Sequence, residues 1–176
     1  YVIVNVMAGE NWNDFVEWSV NNGFGGIENL SLIPGLVGAA PIQNIGAYGV
    51  ELKDVFVSCN TININDQTEK EFDEKSCLFG YRTSRFKTTD KNIYIITSVK
   101  MRLTKEKHKY NISYGTVKEE IGNREINLKS ISKAVIKIRK SKLPNTDLIG
   151  NCGSFFKNPV INELKYLQLK KKFPSI

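Results

Sequence analysis

Histidine is almost absent from this sequence, with one residue, His108, among 176. It stands in the charged run Lys105-Glu-Lys-His-Lys109, which reads as a solvated loop or strand end. This weighs against chemistry that needs a histidine held by a partner, such as a Ser-His-Asp triad or an HExxH zinc site. Cysteine is scarce as well: Cys59, Cys77 and Cys152 are odd in number and widely spaced, with no C-x-x-C pair. That pattern removes a zinc ribbon or a dithiol couple and leaves reduced, structural thiols. No apolar run approaches the roughly 20 residues needed to cross a bilayer. The opening residues, Tyr1-Val-Ile-Val-Asn-Val6, lack the basic flank and small-residue cleavage site of a signal peptide. These absences point to a cytoplasmic protein.

What is present is an ordinary globular composition, 41% hydrophobic, with 25 basic against 18 acidic residues and a formal charge of +7. Such an excess can serve nucleic acid, an anionic small ligand or a solvated surface, and placement decides among them. The lysines are scattered, Lys170-Lys-Lys172 being the longest run, and no Arg/aromatic interleaving is seen. The pattern implies neither a nucleic-acid nor a membrane partner.

Hydrophobic periodicity predicts a mixed α/β chain. Val2, Val4 and Val6 alternate as in a strand. Asn11 caps a helix whose apolar face is Trp12, Phe15, Val16, Ser19 and Val20, and Gly23 stops it. From Asp54 a strand carries Val55, Val57 and Cys59 on one face, and Ile62 and Ile64 follow a phase change near Asn60 of the kind a bulge makes. Another strand covers about Ile93 to Leu103, with the nearly continuous apolar stretch Ile93 to Ile96 expected to be buried on both sides. Leu128, Ile131, Val135 and Ile138 mark an amphipathic helix ending before Pro144, and Glu163 to Lys172 reads as a last helix. The polar region around residues 105 to 125 is the expected domain seam.

Three segments carry the chemistry. Seven of the 13 glycines fall between Gly23 and Gly49. Within that span Gly35, Gly38, Ala39 and Ala40 are small enough to bring backbone amides against a ligand, as an anion cradle does. Neither G-x-G-x-x-G after a strand nor a G-K-[ST] loop is present, so the cradle is not a dinucleotide or Walker fingerprint, and a purely structural crossover remains the alternative. Next, Phe79-Gly-Tyr-Arg-Thr-Ser-Arg-Phe-Lys87 sets Arg82, a permanently charged planar donor, beside Tyr81, a combination suited to a carboxylate or developing enolate. Third, Gly150-Asn-Cys-Gly-Ser-Phe-Phe-Lys-Asn-Pro159 holds Ser154 with no histidine to make it a nucleophile. A proton donor helped by nearby positive charge fits it better than acyl-enzyme chemistry.

The strings Glu28-Asn-Leu-Ser-Leu-Ile-Pro-Gly35, Pro41-Ile-Gln-Asn-Ile-Gly-Ala-Tyr-Gly49, Tyr81-Arg-Thr-Ser-Arg-Phe-Lys87 and Gly153-Ser-Phe-Phe-Lys-Asn-Pro159 resemble the UDP-N-acetylenolpyruvoylglucosamine reductases. These are members of the vanillyl-alcohol-oxidase-like FAD superfamily. The resemblance implies an α+β fold. Residues 1–106 would form an incomplete PCMH-type FAD-binding domain and 107–125 a connecting segment with a tyrosine loop. Residues 126–176 would begin a smaller α+β substrate-binding domain. It implies bound FAD, NADPH as hydride donor, and a UDP-sugar substrate, UDP-N-acetylglucosamine enolpyruvate, reduced to UDP-N-acetylmuramate for peptidoglycan by a monomeric enzyme.

By residue, the resemblance makes Pro41, Ile42, Gln43, Asn44, Gly46 and Tyr48 flavin contacts, with Gly35 and Gly38 in the cradle beside them. Arg82 polarises the enolpyruvyl group next to Tyr81. Ser154 donates the proton, and Asn158 touches substrate. Tyr114 and Lys142 hold the UDP diphosphate, where Arg139 could assist or simply complement its helix dipole. Ala39 and Ala40 stand where some relatives have serine, which removes a hydroxyl contact. The family's chains extend further at both ends, so an upstream FAD phosphate loop and a C-terminal catalytic glutamate are expected beyond this sequence. The alternatives are an oxidase on the same flavin scaffold and a non-enzymatic nucleic-acid binder.

Overall fold

The first helix shows how directly local sequence becomes structure in the computed structural model, which describes residues 1–145, 148–150 and 156–174. Helix α1 spans Trp12–Asn21. The Asn11 side chain accepts from the amides of Asn13 and Asp14 at 2.9 and 3.2 Å, satisfying donors that a helix start leaves without partners. Trp12, Phe15, Val16, Ser19 and Val20 are its buried face, as the periodicity predicts. Trp12 also donates its indole N–H to the Leu30 carbonyl at 3.0 Å, joining the helix to the glycine-rich segment. Past Asn22, Gly23 adopts φ +74, which turns the chain away at little steric cost.

Strands β1 (Val2–Met7), β4 (Phe56–Asn63), β5 (Glu69–Asp73) and β6 (Tyr94–Leu103) form one antiparallel sheet in the order β1-β6-β4-β5. Between β4 and β6 the register shifts at Phe56/Ser58 and at Asn60/Thr61, the second at the predicted phase change. One expectation fails here: Ile96 is buried but Ile95 is 57% exposed, so the Ile93 to Ile96 stretch is not covered on both sides. The side-chain alternation of an antiparallel strand places Ile95 on the wet face, whatever its hydropathy. Strand β5 was not expected, because Glu-Lys-Glu-Phe-Asp offers one apolar residue. Phe72 supplies its whole anchor, fully buried and edge-on to Phe86 and Tyr94 at 5.2 and 5.0 Å.

A second short ladder, β2 (Gly46–Ala47) with β3 (Val50–Glu51), closes through Tyr48-Gly49. Both turn residues have positive φ, +49 and +80, which is the type I′ geometry of two-residue hairpins. Downstream, α2 (Gly115–Ile121) lies where only a short Tyr114-Gly115 segment was expected, and it packs on α3 (Leu128–Lys142). Val117, Ile121, Ile131, Ala134, Val135 and Ile138 make the small core between them. The larger core gathers the sheet, α1 and the glycine-rich segment, and Leu128 at the start of α3 belongs to it. Helix α3 is further tied to that segment by a buried contact of Ser31 Oγ with Ser132 Oγ at 2.8 Å. Helix α4 (Glu163–Lys172) is capped by Asn162 and buries none of its residues.

The buried thiols of Cys59 and Cys77 are free. Hydrogen bonding to Cys77 and burial push the Cys59 thiol well above its ordinary value, so it stays protonated and unreactive. Cys152 lies outside the described residues. His108 pairs through Nδ1 with Thr104 Oγ1 at 2.7 Å. Among the described residues no helix is long and apolar enough to cross a membrane.

Candidate active site

Four separate stretches of chain meet around a cleft of about 470 Å³, within the usual range for small-molecule sites. Ile33, Gln43, Ile45 and Gly46 come from the glycine-rich segment. Tyr81, Arg82 and Lys87 come from the second string, Arg139 from the end of α3, and Phe156, Lys157 and Asn158 from the third string. Four of these are cations, and among the described residues no carboxylate lines the cleft. Such a cleft attracts an anionic ligand, the more so because low-dielectric walls concentrate the field.

Arg82 is the most constrained of the four. It sits at φ +54, a left-handed conformation that costs a bulky residue roughly 1–2 kcal/mol and persists only where neighbours impose it. Its Nη2 donates to the Gly46 carbonyl at 2.5 Å, and its own carbonyl accepts from Lys87 Nζ at 3.2 Å. Nη1 lies 3.6 Å from Glu51 Oε1. It is buried with no hydrogen-bond partner, and a buried unpaired donor is costly unless a ligand oxygen completes it. The Tyr81 ring faces the Arg82 guanidinium at 5.1 Å and Lys157 Nζ at 5.5 Å, so it bridges the second and third strings.

The glycine-rich segment is built otherwise than as an open cradle. The amides of Gly38, Ala39 and Ala40 donate to the carbonyls of Ala8, Leu36 and Val37 at 3.0 to 3.1 Å, so none is free for a phosphate. Gly38 is small because a Cβ there would stand 2.5 Å from the Ala8 Cβ, and Gly35 adopts φ +118 with open space around it. Pro41 is buried, Ile42 packs against the larger core, and Gln43 is exposed and reaches the cleft. Asn44 is fully buried at φ +46. Its side chain gives hydrogen bonds to Glu51 Oε2 and the Gly80 carbonyl at 3.0 and 3.1 Å and takes one from the Lys53 amide at 3.0 Å. That side chain is spent on protein, and it fixes the loop that presents Tyr81 and Arg82.

Tyr48 is half-buried, its ring edge-on to Tyr114 at 5.6 Å. Burial raises its phenol above the usual value, and the Arg139 guanidinium opposes that rise. Asn29 donates to the Tyr48 and Asn111 carbonyls at 3.0 and 2.8 Å and so clasps the hairpin turn to the segment before α2. Tyr114 is 54% exposed and Lys142 is exposed in the last turn of α3, and neither lines the cleft. Arg139, one turn before Lys142, does line it, anchored through Nε to the Leu32 carbonyl at 3.0 Å. Ser154 lies outside the described residues. Asn158, four residues on, lines the cleft with Arg82. Sequence reasoning did not single out Glu51, Lys87 or Lys157 as site residues; only the basic character of the second and third strings hinted at the two lysines.

Residues 1–70 match a family model described as an FAD binding domain. A UDP-N-acetylenolpyruvoylglucosamine reductase of Flavobacterium johnsoniae is 54% identical over 179 aligned positions, covering 100% of this chain and 53% of the relative. Over its whole length, this chain is similar to the UDP-N-acetylenolpyruvoylglucosamine reductases. Reductases of that name from Amoebophilus asiaticus and Pseudomonas aeruginosa are 48% and 46% identical, over 100% and 99% of this chain and 52% of each relative. The chain therefore spans about half the length of the curated relatives it matches. The crystal structure of a reductase of this family from Thermus caldophilus superimposes with a TM-score of 0.64 at 22% identity, over 89% of this chain and 48% of that one. With the family model, that likeness establishes the expected α+β, FAD-binding-domain fold.

Proposed function

We propose that the protein catalyses the NADPH-dependent, FAD-mediated reduction of UDP-N-acetylglucosamine enolpyruvate to UDP-N-acetylmuramate, in the cytoplasm and as a monomer. The observation that carries the reading is Arg82, whose buried Nη1 has no hydrogen-bond partner, at a cleft whose charged lining residues, among those described, are all cations. An enolpyruvyl carboxylate and a UDP diphosphate are both anionic, and a flavin enzyme acting on them needs this kind of donor set. FAD, when bound, supplies the hydride chemistry by accepting hydride from NADPH and delivering it to the enolpyruvyl methylene carbon.

The chain's own residues supply the rest. Arg82 meets the charge that accumulates on the carboxylate side of the substrate. Ser154 gives a proton to the adjacent carbon, with the cations of the cleft making its hydroxyl a better acid. Pro41, Ile42, Gln43, Asn44, Gly46 and Tyr48 form the flavin-binding run with Gly35 and Gly38. In that run Asn44 acts by holding the backbone, since its amide is already engaged. Tyr81 orients Arg82, Asn158 contacts substrate, and Arg139 joins Tyr114 and Lys142 in holding the diphosphate. Residues 1–106 serve FAD, 107–125 connect, and 126–176 begin the substrate-binding part.

The experiment is Ser154→Ala in the full-length protein, followed by stopped-flow absorbance of the flavin. Reduction by NADPH stays within about twofold, and reoxidation by the enolpyruvyl substrate slows by on the order of 10²-fold or more. Equal slowing of both steps would remove Ser154 from the proton-donor role.

A further inference from the structure

Glu51 stands 3.6 Å from the one Arg82 nitrogen that lacks a hydrogen bond, and its own position is fixed from three directions. Asn44 Nδ2 donates to Oε2 at 3.0 Å, Lys53 Nζ lies 3.1 Å from the same oxygen, and the Glu51 amide donates to Asp54 Oδ2 at 2.8 Å, which holds its backbone. The carboxylate is thus immobilised before it meets the guanidinium. At 3.6 Å it is too far to take the Nη1 proton in a hydrogen bond, yet close enough to act strongly as a charge.

The guanidinium needs such a brace. Its backbone is left-handed, and its hydrogen bond from Nη2 to the Gly46 carbonyl holds one end of the fork. The other cations of the cleft, Lys87, Arg139 and Lys157, would push it outward. Glu51 is the counter-charge at its side.

Resting on the reading of Arg82 given above, we infer that Glu51 is a positioning residue for the reduction: its fixed carboxylate, beside the buried Nη1, holds the Arg82 guanidinium in place at the cleft for the substrate carboxylate. Asn44 belongs to the same device, since it ties Glu51 to the Gly80 carbonyl two residues before Arg82. Without that carboxylate the guanidinium would face only the like charges of the neighbouring cations.

The test uses full-length protein with its flavin. In wild type, NADPH must bleach the flavin and the enolpyruvyl substrate must restore it; failure of either in wild type overturns the proposed function itself. Given that behaviour, Glu51→Gln slows restoration by about tenfold or more at saturating substrate, with KM changed less than kcat and with reduction by NADPH kept. Glu51→Gln then adds little to the loss in an Arg82→Lys background, because there is no fork left to aim. Unchanged restoration, equal slowing of both half-reactions, or full additivity with Arg82→Lys would overturn the inference. Should Glu51→Gln lose its flavin, Glu51→Asp decides: retained flavin with slowed restoration supports the brace, and loss of flavin there too assigns Glu51 to folding alone.

Discussion

Gly46 illustrates what single residues contribute here. A Cβ at that position would lie 2.7 Å from Arg82 Nη1 and 3.0 Å from the Val50 carbonyl, so the glycine is the space into which the guanidinium fits. Gly46→Ala should therefore displace Arg82 while leaving the cores untouched. In the flavin-loaded fraction we expect a fall of on the order of 10²-fold in flavin reoxidation by substrate, read by stopped flow; an unchanged rate would mean that Arg82 does not need this seat. The left-handed residues Asn44, Tyr48 and Arg82 all flank the cleft or hold its walls. The left-handed Tyr48 and Arg82 could not be read from the sequence, since such bulky residues take φ +49 and +54 where tertiary contacts such as Asn29 to the Tyr48 carbonyl hold them. The strings themselves were legible because their residue types are specific. Glu51 was not, because its meaning depends on Arg82, 31 positions along the chain, turning to face it.

Among the elements, those with a local signature were foreseen and those without one were not. Helix α1 has its Asn11 cap and an apolar stripe, and the bulge of β4 shows as a broken alternation. Strand β5 has neither, and it exists because β4 offers a ladder and Phe72 finds an aromatic nest. Its surface is cross-linked by Glu71, which accepts from Ser58 Oγ on β4 at 2.6 Å and pairs with Lys100 Nζ on β6 at 2.9 Å. Hydrogen bonding from Ser58, then from Lys100, holds the Glu71 carboxyl below its ordinary 4.5. A carboxyl depressed in the fold stabilises above the unfolded value, and that contribution is lost as the pH falls through the folded one. Glu71→Gln should lower the urea midpoint at neutral pH, and the gap to wild type should close as the pH drops below 4.5. A gap that stays constant with pH would mean that the carboxylate's charge contributes nothing. The core between α2 and α3 makes a second case. Ile131 is fully buried there, so Ile131→Ala should cost about 2–5 kcal/mol in urea unfolding, and a loss under about 1 kcal/mol would show that this small core adds little to cohesion.

At the scale of the molecule, the fold's work is to bring residues about 40 to 115 positions apart to one cationic cleft, joining Gln43 and Gly46 to Arg82, Arg139 and Asn158. Topology does this without a continuous motif: the loop after β5 returns to the β2–β3 hairpin, and α3 is pinned by Ser132 and Arg139 to the segment after α1. We propose that the full-length protein uses this cleft in passing electrons from NADPH through FAD to an anionic enolpyruvyl sugar. The measurement that tests it most directly is the ultraviolet-visible spectrum of the full-length protein, taken as purified, then after anaerobic NADPH, then after UDP-N-acetylglucosamine enolpyruvate. The account predicts a flavin spectrum that NADPH bleaches and the substrate restores, with restoration much slower in Arg82→Ala. A protein without flavin, or a bleached flavin that oxygen restores quickly and the UDP sugar does not, would contradict it.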